Sequence, residues 1–169
     1  MSLNRIRTRI GAVICSLVLL AVGLVVGLAT NQASATTSAA TVNSGGVVML
    51  APCRVADSRN GTTLSTFYAY ETEYLMIVGP QCGVPVLNAS GAILSITVVP
   101  SPWYSYGGGY VTVYPTDVAM PEVSQVSYNW YNVSTEVTVK LSASGKIAIF
   151  NGASGQADII VDVAGYIVA

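Results

Sequence analysis

The chain has 169 residues, enough for one domain plus a targeting segment and too few for two large domains. Charged residues make up 9%, against roughly 25% in typical soluble proteins, and hydrophobic residues 52%, which excludes a disordered chain. A net charge of -1, seven basic residues and no histidine argue against nucleic acid as a partner and remove the usual general base of Ser and Cys hydrolases and the imidazole of catalytic zinc sites.

Arg5, Arg7 and Arg9 precede an uncharged, mostly apolar run over residues 10–29, and Ala33, Ser34 and Ala35 then supply the small-x-small pattern of a signal-peptidase site. Residues 1–35 therefore read as an export signal cleaved after Ala35. The run is also long enough to cross roughly 30 Å of hydrocarbon, so a retained signal anchor is the alternative. In both cases the membrane is met only through this segment, and the rest is secreted or held at the cell surface. Cys15 follows Val13 and Ile14, not the small residues a lipoprotein site needs, and reads as a small apolar residue of the signal.

Removal of the signal leaves 134 residues with four basic and eight acidic side chains, a net charge of -4. Two cysteines remain, Cys53 and Cys82. In an oxidising compartment they read as one disulfide, with two free buried thiols as the alternative. Residues 36–46 are small and polar, a flexible lead-in, and the domain begins at Val47.

From there β-branched and aromatic runs alternate with Gly, Pro, Asn and Ser clusters, and no segment keeps a helical period. The expected fold is all-β, an antiparallel β-sandwich of jelly-roll or Ig-like type. Strands are predicted over residues 67–78, 92–99, 110–114, 123–129, 135–141, 146–150 and 157–163, with a weaker one at 47–50. Period two places Val137, Val139 and Leu141 opposite Thr138 and Lys140, and Ile147 and Ile149 opposite Lys146 and Ala148. In the last strand Ile159, Val161 and Val163 face away from Asp158, Ile160 and Asp162.

If each strand from Ala92 onward reverses at its turn, the loops 100–109, 130–134 and 151–156 share one end of the sandwich, and 115–122 and 142–145 share the other. The first end carries Trp103, Tyr104, Tyr106, Trp130 and Tyr131, both tryptophans of the chain among them. Aromatic rings on loops are enriched at contact sites, so this end is the candidate contact surface, the alternative being rings folded back over the core.

The segment Pro52-Cys53-Arg54-Val55-Ala56-Asp57-Ser58-Arg59 resembles the PCRxxDTR-like opening of a family of secreted bacterial β-domains. Cys82-Gly83-Val84-Pro85, the run from Gly109 to Pro115, Gly145-Lys146-Ile147 and Asp162-Val163-Ala164-Gly165-Tyr166 continue the likeness across the domain. The resemblance implies a Cys53 to Cys82 bridge and a module of exported and cell-surface proteins with no catalytic role of its own. Ser58 and Ile167 depart from the family's commoner Thr and aromatic residue, and the loop aromatics lie where the family varies.

The reactive groups read as structural. Asp57 and Arg59, two residues apart, suit an ion pair that ties a loop to a sheet. Asp57, Asp117, Asp158 and Asp162 are the candidate calcium ligands, but no DxDxDG-type loop is present, so no cofactor or metal is expected. Glu71 and Glu73 could share one strand face as a glycosidase-like pair, although nothing near them raises a pKa. Asn60, Asn88 and Asn132 open N-x-S/T sequons and read as turn residues, and Gly107, Gly108 and Gly109 as a hinge. No catalytic residue is assigned. The expectation is an exported, non-enzymatic β-sandwich, a structural or adhesive subunit that binds copies of itself or other surface proteins and assembles into filaments by strand addition. The alternative is a carbohydrate-binding module in which loop aromatics stack on polysaccharide.

Overall fold

A computed structural model describes residues 45–61, 63–102 and 108–169. The signal, most of the lead-in, and Trp103, Tyr104 and Tyr106 lie outside the described residues. Eight strands run in order β1 (Val47–Asp57), β2 (Thr72–Met76), β3 (Ala89–Pro100), β4 (Gly109–Pro115), β5 (Val126–Tyr128), β6 (Val133–Lys140), β7 (Lys146–Asn151) and β8 (Ala157–Val168). A 3-10 turn, Ser58–Asn60, follows β1. The strands pair antiparallel into two four-stranded sheets, β1-β8-β3-β6 and β2-β7-β4-β5. The β-sandwich expectation holds, and this strand order is that of a jelly roll rather than an Ig-like fold.

Period two carries the packing. Val137, Val139, Ile147, Ile149, Ile159, Val161 and Val163 all point into the space between the sheets and are buried. Thr138 and Lys140 face outward and are exposed. Ala148 differs: it lies on the outer face yet is fully buried, because Tyr74 and Tyr114 flank it in register on the two neighbouring strands.

β8 runs five residues past its expected end, to Val168, and β3 spans Ala89–Pro100 rather than 92–99, while three other strands differ in extent from the sequence reading for local reasons. The 67–78 segment is cut to Thr72–Met76 because Tyr70 takes a positive φ of 58°. Phe67 instead pairs with Ala157 at the start of β8 through two backbone bonds of 3.0 Å. The 123–129 segment is strand only over Val126–Tyr128, since the Gln125 side chain takes a strand's place. Its amide nitrogen donates to the Val113 carbonyl at 2.8 Å, and its oxygen accepts from the Val113 N–H at 3.0 Å. β1 outruns its predicted end by seven residues because bulges between Met49 and Cys53 and between Arg54 and Ala56 keep it paired with β8. Pro52, with no N–H to donate, falls within the first bulge of this edge strand, where its loss to the ladder costs least.

Cys53 on β1 and Cys82 in the β2–β3 connection form a disulfide, with Cα atoms 5.5 Å apart. Gln81, next to the bridge, donates its amide to the Arg54 carbonyl at 3.0 Å and so covers part of the β1 edge.

Candidate functional site

Hydrogen bonds and close approaches gather the loops at one end. The Ser101 N–H donates to the Gln156 carbonyl at 3.0 Å, joining the β3–β4 and β7–β8 loops. Gly108, at φ +79°, passes so close to Tyr128 and Asn129 that a Cβ there would lie 2.2 Å from the Tyr128 carbonyl oxygen. That brings in the β5–β6 loop. At the opposite end the Ala143 N–H donates to Asp117 at 2.9 Å, so the β4–β5 and β6–β7 connections meet there.

The segment between β1 and β2 joins the first end as well, and Asn151 explains how. Its side chain is fully buried, because it closes β7 on the core-facing side of the sheet. Its amide nitrogen donates to the Tyr68 carbonyl at 2.9 Å and the Gly155 carbonyl at 3.0 Å, and its oxygen accepts the Tyr128 hydroxyl at 2.7 Å. Its backbone N–H donates to the Glu71 carbonyl at 2.9 Å. One side chain therefore ties three segments together and leaves its own polar atoms satisfied, as burial requires. Burial pushes the Tyr128 phenol up to about 12, so it stays protonated and keeps donating to Asn151 at any neutral pH.

On this base the rings stand out into solvent. Trp130 and Tyr131 are 56% and 75% exposed. Tyr68 and Tyr70, which sequence reasoning placed inside a strand, join them at 60% and 65%. The signal that could have found them is the Asp-Ser-Arg-Asn-Gly stretch at 57–61, a turn-rich break that leaves the following aromatics on a connection rather than in a ladder.

Asp57 and Arg59 do meet. Arg59 donates to both Asp57 oxygens at 2.8 and 2.7 Å, and the Asp57 carboxylate also caps the 3-10 turn by accepting the Arg59 backbone N–H at 3.2 Å. Arg54 approaches Asp57 at 3.5 Å while its guanidinium grips Asp162 at 2.8 and 3.0 Å. The hydrogen bonds from Arg59 hold the Asp57 carboxyl below its ordinary 3.8, against the opposing effect of burial. A lowered carboxyl pKa adds stability that is complete above the ordinary value and lost as the pH falls through the lowered one. The difference in urea midpoint between the protein and Asp57→Asn is therefore expected to be constant above about pH 5 and to shrink below about pH 4. A difference unchanged down to pH 2 would contradict this assignment.

Asp158, Glu71 and Glu73 are engaged within the fold. Asp158 accepts the Ser58 and Thr66 hydroxyls at 2.8 and 2.9 Å. Glu73 accepts Ser65 at 2.6 Å, and Glu71 accepts the Tyr68 N–H at 2.6 Å, so the two glutamates serve separate turns. Among the described residues no three His, Cys, Asp or Glu side chains converge; Asp57 and Asp162 share Arg54, while Asp117 and Asp158 sit in separate contacts.

The fold and its end define an eight-stranded, disulfide-bonded jelly roll that presents tyrosine and tryptophan from pinned loops. No protein-family model matches the chain, and no curated protein is similar enough to count as a relative.

Proposed function

We propose that this protein is an exported, non-enzymatic β-sandwich that acts by contact, as a structural or adhesive subunit outside the cell. The observation that carries the reading is the set of exposed rings of Tyr68, Tyr70, Trp130 and Tyr131 on loops held by the buried Asn151. Rings on a rigid base lose little conformational freedom on binding, which is what a contact surface needs. The apolar run with its small-x-small site supports export, and so do the disulfide and the resemblance to secreted β-domains. The structural use of Asp57, Asp158, Asp162, Glu71 and Glu73 supports a role without acid–base chemistry.

Association with copies of itself would run along a sheet edge. The edges of the first sheet are β1 and β6. β1 is bulged and partly covered by Gln81, whereas β6 pairs with β3 in unbroken register over eight residues. An unbroken edge accepts another strand most readily, and residues 36–46 of a neighbouring copy are the proposed donor. Light scattering and negative-stain imaging should show concentration-dependent assemblies of the exported protein that are lost when residues 36–46 are deleted. A strict monomer at high concentration with that segment intact would sink self-assembly.

The exposure of Trp130 also favours a second reading, a carbohydrate-binding module in which Trp103, Tyr106 and Trp130 stack on sugar rings. Trp103→Ala with Trp130→Ala should then lose retention on polysaccharide and leave assembly untouched.

A further inference from the structure

On the outer face of the second sheet lies a groove of about 340 Å3 lined by Tyr110, Thr112, Met120, Pro121, Glu122, Val123 and Ser124. Its floor is β4. Its wall is the 120–124 segment, fastened to β4 by the Gln125 amide pair with Val113, by the Gln125 N–H to the Val111 carbonyl at 3.0 Å, and by the Thr112 hydroxyl donating to the Val123 carbonyl. Loop and sheet are thus joined at three successive residues of β4, and the groove is built before any ligand arrives. Its volume is at the small end of the range for ligand sites, roughly 300 to 1,000 Å3.

The Tyr110 ring is fixed in place. It sits against Gly152 so closely that a Cβ at that position would fall 2.3 to 2.5 Å from three ring carbons. It also meets Phe150 in a tilted contact at 6.1 Å, and its carbonyl accepts the Gly152 N–H at 2.8 Å. Even so, 39% of Tyr110 remains accessible, and Met120 and Val123 beside it are exposed. Polar groups at the rim include the exposed Glu122 carboxylate and Ser124 hydroxyl, and among the described residues no cationic side chain lines the groove.

We infer that this groove is a saccharide-binding site, taking one or two neutral sugar rings with Tyr110 as the stacking platform and Glu122 as the acceptor of sugar hydroxyls. A sugar ring presents a C–H face that packs on an immobilised aromatic ring, an aliphatic edge that suits Met120 and Val123, and hydroxyl donors that match an exposed carboxylate. A lining with a carboxylate and no cation disfavours acidic sugars and other anions. A proline-rich peptide would need a series of aromatic ridges, and this lining offers a single ring. Tyr68, Tyr70, Trp130 and Tyr131 do not line the groove, so different variants test the two surfaces.

Titration of the exported protein with cellohexaose, chitohexaose, xylohexaose and mannohexaose, followed by calorimetry and by amide NMR shifts, tests the assignment. At least one of the four should bind and shift the amides of Tyr110 and residues 122–124. Tyr110→Ala and Glu122→Ala should each weaken that binding by more than about tenfold, as expected for anchor groups of a site. Tyr110→Phe, which keeps the ring, should retain binding. If Tyr110→Ala fails to fold, the exposed Glu122→Ala variant decides alone. Silence with all four sugars, binding lost with Trp130→Ala but kept with Glu122→Ala, or binding of decaproline alone would each overturn the proposal.

Discussion

Replacing Asn151 by leucine is expected to cost about 3 to 5 kcal/mol, because it leaves three buried or half-buried partners unpaired at roughly 1 to 2 kcal/mol each. Those partners are the Tyr128 hydroxyl and the carbonyls of Tyr68 and Gly155. Leucine has the same branched four-atom side chain and is somewhat larger, so the loss is polar, with some overpacking, and not a cavity. The damage should also be local in character. The Tyr70 N–H, which donates to the Ala153 carbonyl at 3.2 Å beside this network, should exchange with solvent much faster, while amides between β3 and β8 keep their protection until global unfolding. Urea denaturation and hydrogen exchange measure the two effects. A variant within about 0.5 kcal/mol of the parent, the size of an ordinary surface change, would show that Asn151 does not organise this end.

Removing the bridge with Cys53→Ala and Cys82→Ala together is expected to cost about 3 to 4 kcal/mol, the loop-closure value for a separation of this size. The two cysteines are 29 residues apart. Both are replaced because a single change leaves a lone thiol free to form mixed disulfides. The bridge ties the bulged edge strand β1 to the β2–β3 connection, across the side of the sandwich where those elements have no ladder between them. The urea midpoint should fall, and the denaturant slope should rise, since the unfolded chain without its crosslink exposes more surface. Dithiothreitol should lower the midpoint of the parent and leave the double variant unmoved. An unchanged midpoint would mean that the native packing alone fixes β1.

Both expectations rest on features that differ in how visibly the chain announces them. The alternation in β6, β7 and β8 is explicit in Val137-Thr138-Val139-Lys140 and in the 157–163 run, because a half-buried strand must sort its side chains every second residue. The grouping of loops at two ends follows from strand reversal alone. Less visible is which strands pair. β1 and β8 lie about a hundred residues apart, and hydrophobic pattern does not choose between jelly-roll and Ig-like partners. The ends of β2 and β5 were hidden for another reason. Tyr70 adopts a positive φ that tyrosine rarely takes, and the Gln125 side chain does the work of backbone.

At the candidate surface, Trp130 and Tyr131 could be read from their loop, whereas Tyr68 and Tyr70 were masked by an aromatic run that looks like a strand, with only the 57–61 turn stretch to mark the break. Asn151 reads as an ordinary turn residue, and its three partners come from positions 68, 128 and 155, which only the fold brings together. The Tyr110 groove is hidden for the same reason: its glycine backing comes from the β7–β8 loop.

Peptide mapping by mass spectrometry, without reduction, of protein recovered from outside the cells that make it tests the central claim most directly. The account expects an N-terminus at Thr36 or, for a retained anchor, the intact chain on the outer surface, in each case with the Cys53 and Cys82 peptides linked. Protein found only inside the cells, with both thiols free, would contradict it.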